Sequence, residues 1–289
     1  MLRTTILAML LLPVASAGAD EARPVEPALP IVASPSPSVA PAPRLSLTLP
    51  AGKLNVTLTL ELDASEDKVA EPISIAPDLG YGVTDDLTLA VVHSKFALTG
   101  FRAVAGGGIC LSGSGAGCAT AYNNVGTEAA YSLARGQVAF AAVGGLHVVD
   151  LDNSLFVAKL GGRARFSTGK VALNSLPSVL IALDKRTDAM GTRLNKDILY
   201  VPVQLTYRIT RPLLLGLGTG IKGPISGFGD AWQVPIGVTA VYAIDPSLAI
   251  GASWTFGQLL GGATNPPDPA PAVKGPELRG IQLWASYTI

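Results

Sequence analysis

The sequence has no long apolar run after its first 19 residues, and it carries few charges. Hydrophobic residues make up 48% of the 289 residues and the mean hydropathy is +0.41. No stretch of about 18 uninterrupted apolar residues follows the N-terminal segment, so a helical membrane protein is not predicted. The 21 Lys and Arg residues balance the 21 Asp and Glu residues, and nothing in the net charge indicates nucleic-acid binding.

Histidine and cysteine are scarce, which limits catalytic and metal chemistry. Of the two histidines, His147 has the inward parity near the extracellular end and is expected in the polar lining, and His93 is adjacent to Ser94, so in a strand these two side chains face opposite sides. We predict no catalytic, metal or cofactor site, and no enzyme activity. Cys110 and Cys118 lie close together in a Gly/Ser-rich segment without a CxxC pattern, which predicts a disulfide-stapled loop, with metal or redox chemistry as the alternative.

The first 43 residues divide into two segments. Residues 1–19 contain Arg3, an apolar run and small residues up to Ala19, the pattern of a signal peptide. Residues 20–43 carry a proline every few positions and no periodic apolar face. They predict an extended, disordered periplasmic linker, with a plug inserted into the folded domain as the alternative. The folded domain is predicted over residues 44–289.

From residue 53 onward, apolar and polar residues alternate with a period of two, which predicts strands with one apolar and one polar face. Short turns and longer loops alternate between these strands, as at the two rims of a barrel. Leu45, Leu47 and Leu49 have the opposite parity and predict a bulged extension or a separate short strand. The twelve predicted strands lie near residues 53–62, 71–83, 87–101, 124–133, 136–149, 153–166, 170–184, 197–209, 212–222, 231–243, 247–258 and 278–289.

Aromatic residues close six of these strands just before a short turn or the C-terminus. They share the parity of the apolar face, and five of the seven tyrosines of the chain are used in this way. Such a ring is typical of a membrane–water interface. We therefore predict an all-β fold, a transmembrane antiparallel up-and-down barrel of about 12 strands, over a soluble β-sandwich. The predicted girdle is Tyr81, Tyr131, Phe166, Tyr207, Tyr242 and Tyr287, and Phe96, Trp232, Trp254 and Phe256 are expected at the other rim.

Over about residues 45–289 the chain resembles the porin-like outer-membrane β-barrel proteins of Gram-negative bacteria. The resemblance rests on strand–turn–strand units such as Gly80-Tyr-Gly-Val-Thr-Asp-Asp-Leu-Thr-Leu89 and on a C-terminal strand ending Tyr287-Thr-Ile289, although the family's signal ends in an aromatic. It implies the outer membrane as location and, as partners, outer-membrane lipid and the outer-membrane assembly machinery. It implies no cofactor and no particular solute.

The parity opposite to the apolar face predicts the residues that line the barrel interior. Small residues on the ninth to eleventh strands would leave room beside these polar side chains, whereas Trp284 requires a filled interior or a local bulge. About twelve strands favour a narrow channel for small solutes or ions, with a weak anion preference. The alternative is a structural or surface-interaction barrel with a closed, ion-paired lumen and a stapled outer loop over residues 102–123. The predicted lumen-lining residues are Glu61, Asp78, Glu128, Lys159, Arg163, Arg165, Tyr200, Gln204 and Arg208.

Overall fold

A computed structural model describes the barrel and parts of its loops. The predicted signal peptide, the Pro-rich linker and Cys118 lie outside the described residues, so these predictions and the disulfide of Cys110 stay predictions. The described residues are 46–65, 69–102, 105–112, 122–149, 151, 155–184, 196–261 and 278–289.

Fourteen strands and two short helices make up the described chain. Among these residues no helix is long and apolar enough to cross a bilayer. The helices are α1 (Lys95–Thr99) and α2 (Phe228–Ala231). The strands are β1 (Leu54–Asp63), β2 (Ile73–Gly82), β3 (Leu87–Val92), β4 (Ile109–Ser112), β5 (Val125–Ala134), β6 (Val138–Val148), β7 (Phe156–Thr168), β8 (Val171–Ser175), β9 (Ser178–Ala182), β10 (Ile198–Arg208), β11 (Leu213–Pro224), β12 (Gln233–Ala243), β13 (Leu248–Gly261) and β14 (Arg279–Thr288).

The strands form one closed antiparallel barrel with twelve strand positions around the ring, which we call staves. β1 pairs with β2 on one side and with β14 on the other, so the sheet has no free edge at this seam. β3 and β4 pair with the two ends of β2 and form one stave, and β8 and β9 both lie between β7 and β10 and form another. The predicted twelve-strand barrel is therefore confirmed. We call the end with the short hairpin turns the turn end, and the opposite one the loop end.

The alternation of the sequence becomes the two faces of the wall. On β1, Leu58 is 50% exposed on the outside, whereas Thr59 and Glu61 are buried inside. A closed barrel with an apolar exterior satisfies its backbone hydrogen bonds internally, which a bilayer requires. The six predicted girdle residues all lie outside near the turn end, with exposed fractions from 46% to 53%.

The third stave departs from the sequence prediction. A continuous strand over 87–101 is wrong: β3 ends at Val92, the chain turns into the barrel, and α1 begins after its N-cap Ser94 and ends before Gly100, whose φ is 74°. The alternating residues around Phe96 are helical because Asp78 accepts the backbone N–H groups that would have continued the β ladder. Phe96 thus lies in the lumen and not at the outer rim, and part of the predicted loop 102–123 returns to the wall as β4.

The seventh stave is interrupted at Leu176-Pro177. Proline has no N–H to donate to the ladder, and its carbonyl instead accepts a hydrogen bond from Gly162 N at 2.9 Å. The neighbouring Gly161 permits this close approach, because a Cβ there would lie 2.3 Å from the Pro177 oxygen. The stave remains in the wall on both sides of the break.

The segment Ser46–Pro50, which we call the strap, is not a strand, so the predicted bulged extension or short strand is wrong. Lys53 N donates to Pro50 O at 3.1 Å, and Gly52 has a φ of 74°, so a tight turn folds the strap back over the barrel mouth. Its polar groups are satisfied by the β2–β3 hairpin rather than by a ladder. Thr48 Oγ1, for example, donates to Asp85 O at 2.8 Å.

The assignment of the faces gives a first prediction. Leu217 is exposed on the outside near the middle of β11, and Gly218 is the next, inward position. We expect Leu217→Lys to lower the free energy of unfolding in lipid vesicles by about 2–4 kcal/mol, because an ammonium would face hydrocarbon. The matched variant Gly218→Ser should be close to neutral in the same guanidinium titration. A larger loss at Gly218 than at Leu217 would mean that the faces are exchanged.

Candidate functional site

A segment of the chain enters the lumen and narrows it at mid-height. This inward segment, residues 93–102 and 105–108, leaves the wall after β3 and returns at β4. Two glycines near its end make close approaches: a Cβ at Gly107 would lie 2.6 Å from His93 O, at the other end of the segment, and a Cβ at Gly108 would lie 2.4 Å from Ile75 O in the wall. These glycines are therefore needed for the tight passage of the segment.

Glu61 on β1 binds the inward segment through a fully buried carboxylate. Its oxygens accept hydrogen bonds from Lys95 N at 3.0 Å and Gly107 N at 2.8 Å. Ser74 Oγ and Gln282 Nε2 donate to it at 3.4 and 3.3 Å. One carboxylate thus joins both ends of the inward segment to strands β1, β2 and β14.

Asp78 on β2 holds the point at which the chain leaves the wall. One oxygen accepts from His93 N at 2.6 Å and Ser94 N at 3.0 Å, and the other accepts from Ser94 Oγ at 2.5 Å. The His93 Nδ1 atom contacts the Pro77 carbonyl oxygen instead of the serine. These hydrogen bonds hold the backbone where it turns from β3 into the lumen. His93 and Ser94 do not form a nucleophile–base pair.

Arg102 lies between two aromatic rings inside the lumen. Its guanidinium carbon is 3.8 Å from the centroid of the Phe96 ring and 3.7 Å from that of the Trp284 ring, and Nη1 donates to Gln282 Oε1 at 3.3 Å. The Trp284 indole packs against Gly251 of β13. A Cβ at this position would lie 2.1 Å from the ring, so the absence of a side chain makes room for the indole. The inward parity of Trp284 is thereby explained: the ring stacks on the cation of the inward segment.

A buried ion-paired cluster supports the segment from the far wall. Glu128 Oε1 lies 2.7 Å from Lys159 Nζ and 3.3 Å from His147 Nε2, and its second oxygen is 3.8 Å from Arg163 Nη2. Lys159 Nζ also donates to the Ala97 carbonyl in α1. The inward segment is therefore held from both sides of the lumen.

Between the inward segment and the strap lies a cavity of about 520 Å³. Hydroxyl and amide groups line one wall, where Asn55 Nδ2 and Thr57 Oγ1 both donate to Ser286 Oγ, at 3.0 and 2.9 Å. The opposite wall carries Arg163 and Arg165, and Arg165 Nε donates to Asn174 Oδ1 at 3.0 Å. The cavity has a mixed polar and apolar lining, and the guanidinium group of Arg102 borders it from the inward segment in addition to those of Arg163 and Arg165.

Comparisons with known proteins agree with this architecture. No family model matches the chain, and no curated protein matches its sequence. Among solved structures, the NanC porin in a rhombohedral crystal form superposes with a TM-score of 0.54, at 9% identity, over 80% of this chain and 98% of that one. The fold is that of a porin-like β-barrel. Looser matches are the KdgM porin (TM-score 0.48, 9% identity, 81% and 98% covered) and Omp33 of Acinetobacter baumannii (0.42, 11%, 82% and 98%).

The predicted lumen-lining residues of this porin-like barrel lie at several levels of the interior. Glu61, Asp78 and Lys159 bind the inward segment, Glu128 pairs with Lys159, and Arg163 and Arg165 border the cavity. Tyr200 packs near Phe101 with ring centroids 6.3 Å apart, Gln204 lines the interior beyond the inward segment, and Arg208 is exposed at the turn end of β10. Among the described residues, no cluster of three His, Cys, Asp or Glu side chains could hold a metal ion.

Four lumen residues escaped the sequence reasoning: Arg102, Phe96, Asn124 and Gln282. Asn124 is fully buried and its Nδ2 donates to His93 O at 3.0 Å, which secures the exit from the wall. Gln282 has the inward parity on the last strand, so its position was readable, but its partner was not. Arg102 and Phe96 belong to a segment that is too short for its apolar pattern to distinguish a strand from a helix.

The contact between Trp284 and Gly251 gives a second prediction. We expect Gly251→Ala to lower the free energy of unfolding by about 1–3 kcal/mol, because the new methyl group displaces the indole from Arg102. Denaturant unfolding followed by tryptophan fluorescence measures it. Gly218→Ala is the matched control, since a Cβ there meets nothing nearer than 3.9 Å. Equal stability of the two variants would contradict the packing described here.

The Glu128 cluster gives a third prediction. Glu128→Gln leaves the buried Lys159 ammonium without its counter-charge, and we expect a loss of about 3–5 kcal/mol in the free energy of unfolding. In the double variant Glu128→Gln/Lys159→Met both buried charges are absent, so it should recover part of the loss in the same titration. A double variant less stable than Glu128→Gln would show that the two side chains do not act as a pair.

Proposed function

We propose that this chain is an outer-membrane porin-like channel that passes small solutes or ions through a narrow lumen. The observation that carries the proposal is a cavity of about 520 Å³, lined in part by charged side chains, inside a closed barrel with an apolar exterior. A purely structural barrel gains nothing from an unfilled space beside charged groups. The turn end faces the periplasm, as short turns do in such barrels, and the exterior contacts outer-membrane lipid.

The charges that face the cavity support an anion preference. Asp78 uses its oxygens on the backbone of the inward segment, and Glu128 is buried beside Lys159, so these carboxylates are already engaged. Arg163 and Lys159 share the single carboxylate of Glu128, and the hydrogen bond of Arg165 goes to the neutral Asn174, so positive charge remains in excess at the cavity. Guanidinium groups beside a wet passage favour anions. The substrate class we propose is therefore small, with negative charge preferred over positive.

Several further roles follow from the same proposal. The C-terminal strand β14, which ends the barrel near Tyr287, is the segment we expect the outer-membrane assembly machinery to recognise. In this proposal residues 1–19 are a signal peptide that is removed on export, and residues 20–43 are a Pro-rich linker in the periplasm. We propose a transport protein without a cofactor and without enzyme activity.

The first experiment is single-channel recording of refolded residues 20–289 in a planar bilayer, with a heat-dependent gel shift to establish folding. We expect discrete current steps whose size grows with KCl concentration. In a KCl gradient, the reversal potential should lie between zero and the equilibrium potential of chloride. Arg163→Gln/Arg165→Gln should move the reversal potential toward zero, whereas Arg211→Gln, an exposed turn residue, should leave it unchanged.

A folded protein that is silent both intact and as residues 51–289, without the strap, contradicts the channel. It would favour the alternative, a structural or surface-interaction barrel whose lumen is closed by the inward segment. The observation behind that alternative is the number of buried side chains that hold the segment in place. Deleting residues of the outer loop between β4 and β5 would then abolish adhesion without changing permeability.

A further inference from the structure

The strap lies across the turn-end mouth of the cavity. Its residues Ser46, Leu47, Thr48 and Leu49 all line the cavity. On one side it is bound to the β2–β3 hairpin, and on the other Arg163 Nη1, from β7, donates to Leu47 O at 3.4 Å. Because β2 and β7 are four staves apart around the ring, the strap bridges the opening rather than following one wall.

The attachment to the hairpin is specific. Leu49 N donates to Thr88 Oγ1 at 2.7 Å, and Ala51 N donates to Asp85 Oδ1 at 3.0 Å, in addition to the bond from Thr48 Oγ1 to Asp85 O. Each donor or acceptor on the strap side lies outside the ladders of the barrel. The strap can therefore leave the mouth without breaking a strand pairing.

The wall is shaped to receive the strap. A Cβ at Gly82 would lie 2.0 Å from Pro50 O and 2.8 Å from Leu49 O, and a Cβ at Gly80 would lie 3.2 Å from Leu49 Cδ1. Both glycines face inward on β2; a side chain at Gly82 would collide with the backbone of the strap, and one at Gly80 would press on the Leu49 side chain. A lumen that required an open mouth would have no need of this recess.

The strap brings apolar side chains to the opening it covers. Leu47 and Leu49 line the cavity together with hydroxyl, amide and guanidinium groups and with apolar residues of the wall such as Leu176. Apolar side chains at a narrow passage exclude water and the ions that move with it. In sequence the strap follows the Pro-rich segment 20–43 after two residues.

We propose that the strap is an intramolecular closure of the turn-end mouth, and that its displacement opens the cavity to that side. This inference rests on the proposed channel function. It adds a conformational device: the barrel itself stays fixed, while the segment before β1 sets the conductance.

The test compares single-channel conductance of the full mature chain with that of two strap-releasing variants. Gly82→Val fills the recess under Pro50, and Thr88→Val removes the hydroxyl that accepts from Leu49 N while keeping the shape of the side chain. The matched controls are Gly218→Ala, at an inward glycine with open space, and Thr206→Val, at a buried threonine that donates to Ala172 O away from the strap. We expect at least a twofold rise in conductance, or in open probability, in both strap variants and no change in the controls.

Residues 51–289, which lack the strap, should match the strap variants and serve as the test if a point variant does not fold. A wild-type protein that conducts, together with strap variants of the same conductance, overturns the closure and leaves the channel intact. A silent wild-type protein with conducting strap variants supports both. Silence in every folded variant overturns the closure and the channel function together.

Discussion

The interior of this barrel depends on two carboxylates that accept backbone N–H groups. A β-barrel in lipid satisfies its main chain through strand pairing, and a stave can be interrupted only where other groups take over. At the third stave Asp78 accepts the amides of His93 and Ser94, and Glu61 accepts those of Lys95 and Gly107. With these bonds the chain can leave the wall and return. The narrowing of the lumen, the Arg102 stack and the cavity all follow from this exit.

Much of the wall was predictable from the sequence because a strand period of two is a local property. The alternation at residues 53–61 gave both the element and its faces, and the aromatic ends gave the rim. The departures share a physical cause. Residues 93–101 have the alternation of a strand, but the partners that draw them inward, Asp78 and Glu61, are distant in sequence. The inward parity of Asp78 and Glu61 could be read from the sequence, whereas the backbone N–H groups that donate to them could not.

In the lumen, too, the sequence predicts where side chains lie but not which residues they contact. Lys159 and Glu128 were predicted on one polar wall, and the structure brings them within 2.7 Å, with Lys159 also reaching α1. Trp284 was the residue that the sequence could place but not explain. Its explanation needs Gly251 on the neighbouring strand and Arg102 in the lumen, and neither pairing has a signature in a single sequence. The parity of Leu47 and Leu49 was likewise clear from the sequence. Their position at the opening of the cavity was not predictable.

The position of the seam between β1 and β14 has a consequence for how the molecule forms. Asn55 pairs with Thr288, so this contact joins residues at the two ends of the folded domain and carries the largest loop-closure entropy of any ladder. Glu61 lies on one seam strand, and Gln282 and Trp284 lie on the other, and all three contact the inward segment. The ladder with the highest loop-closure entropy is thus also the one that binds the interior. Closing the ring and filling the lumen therefore involve the same residues.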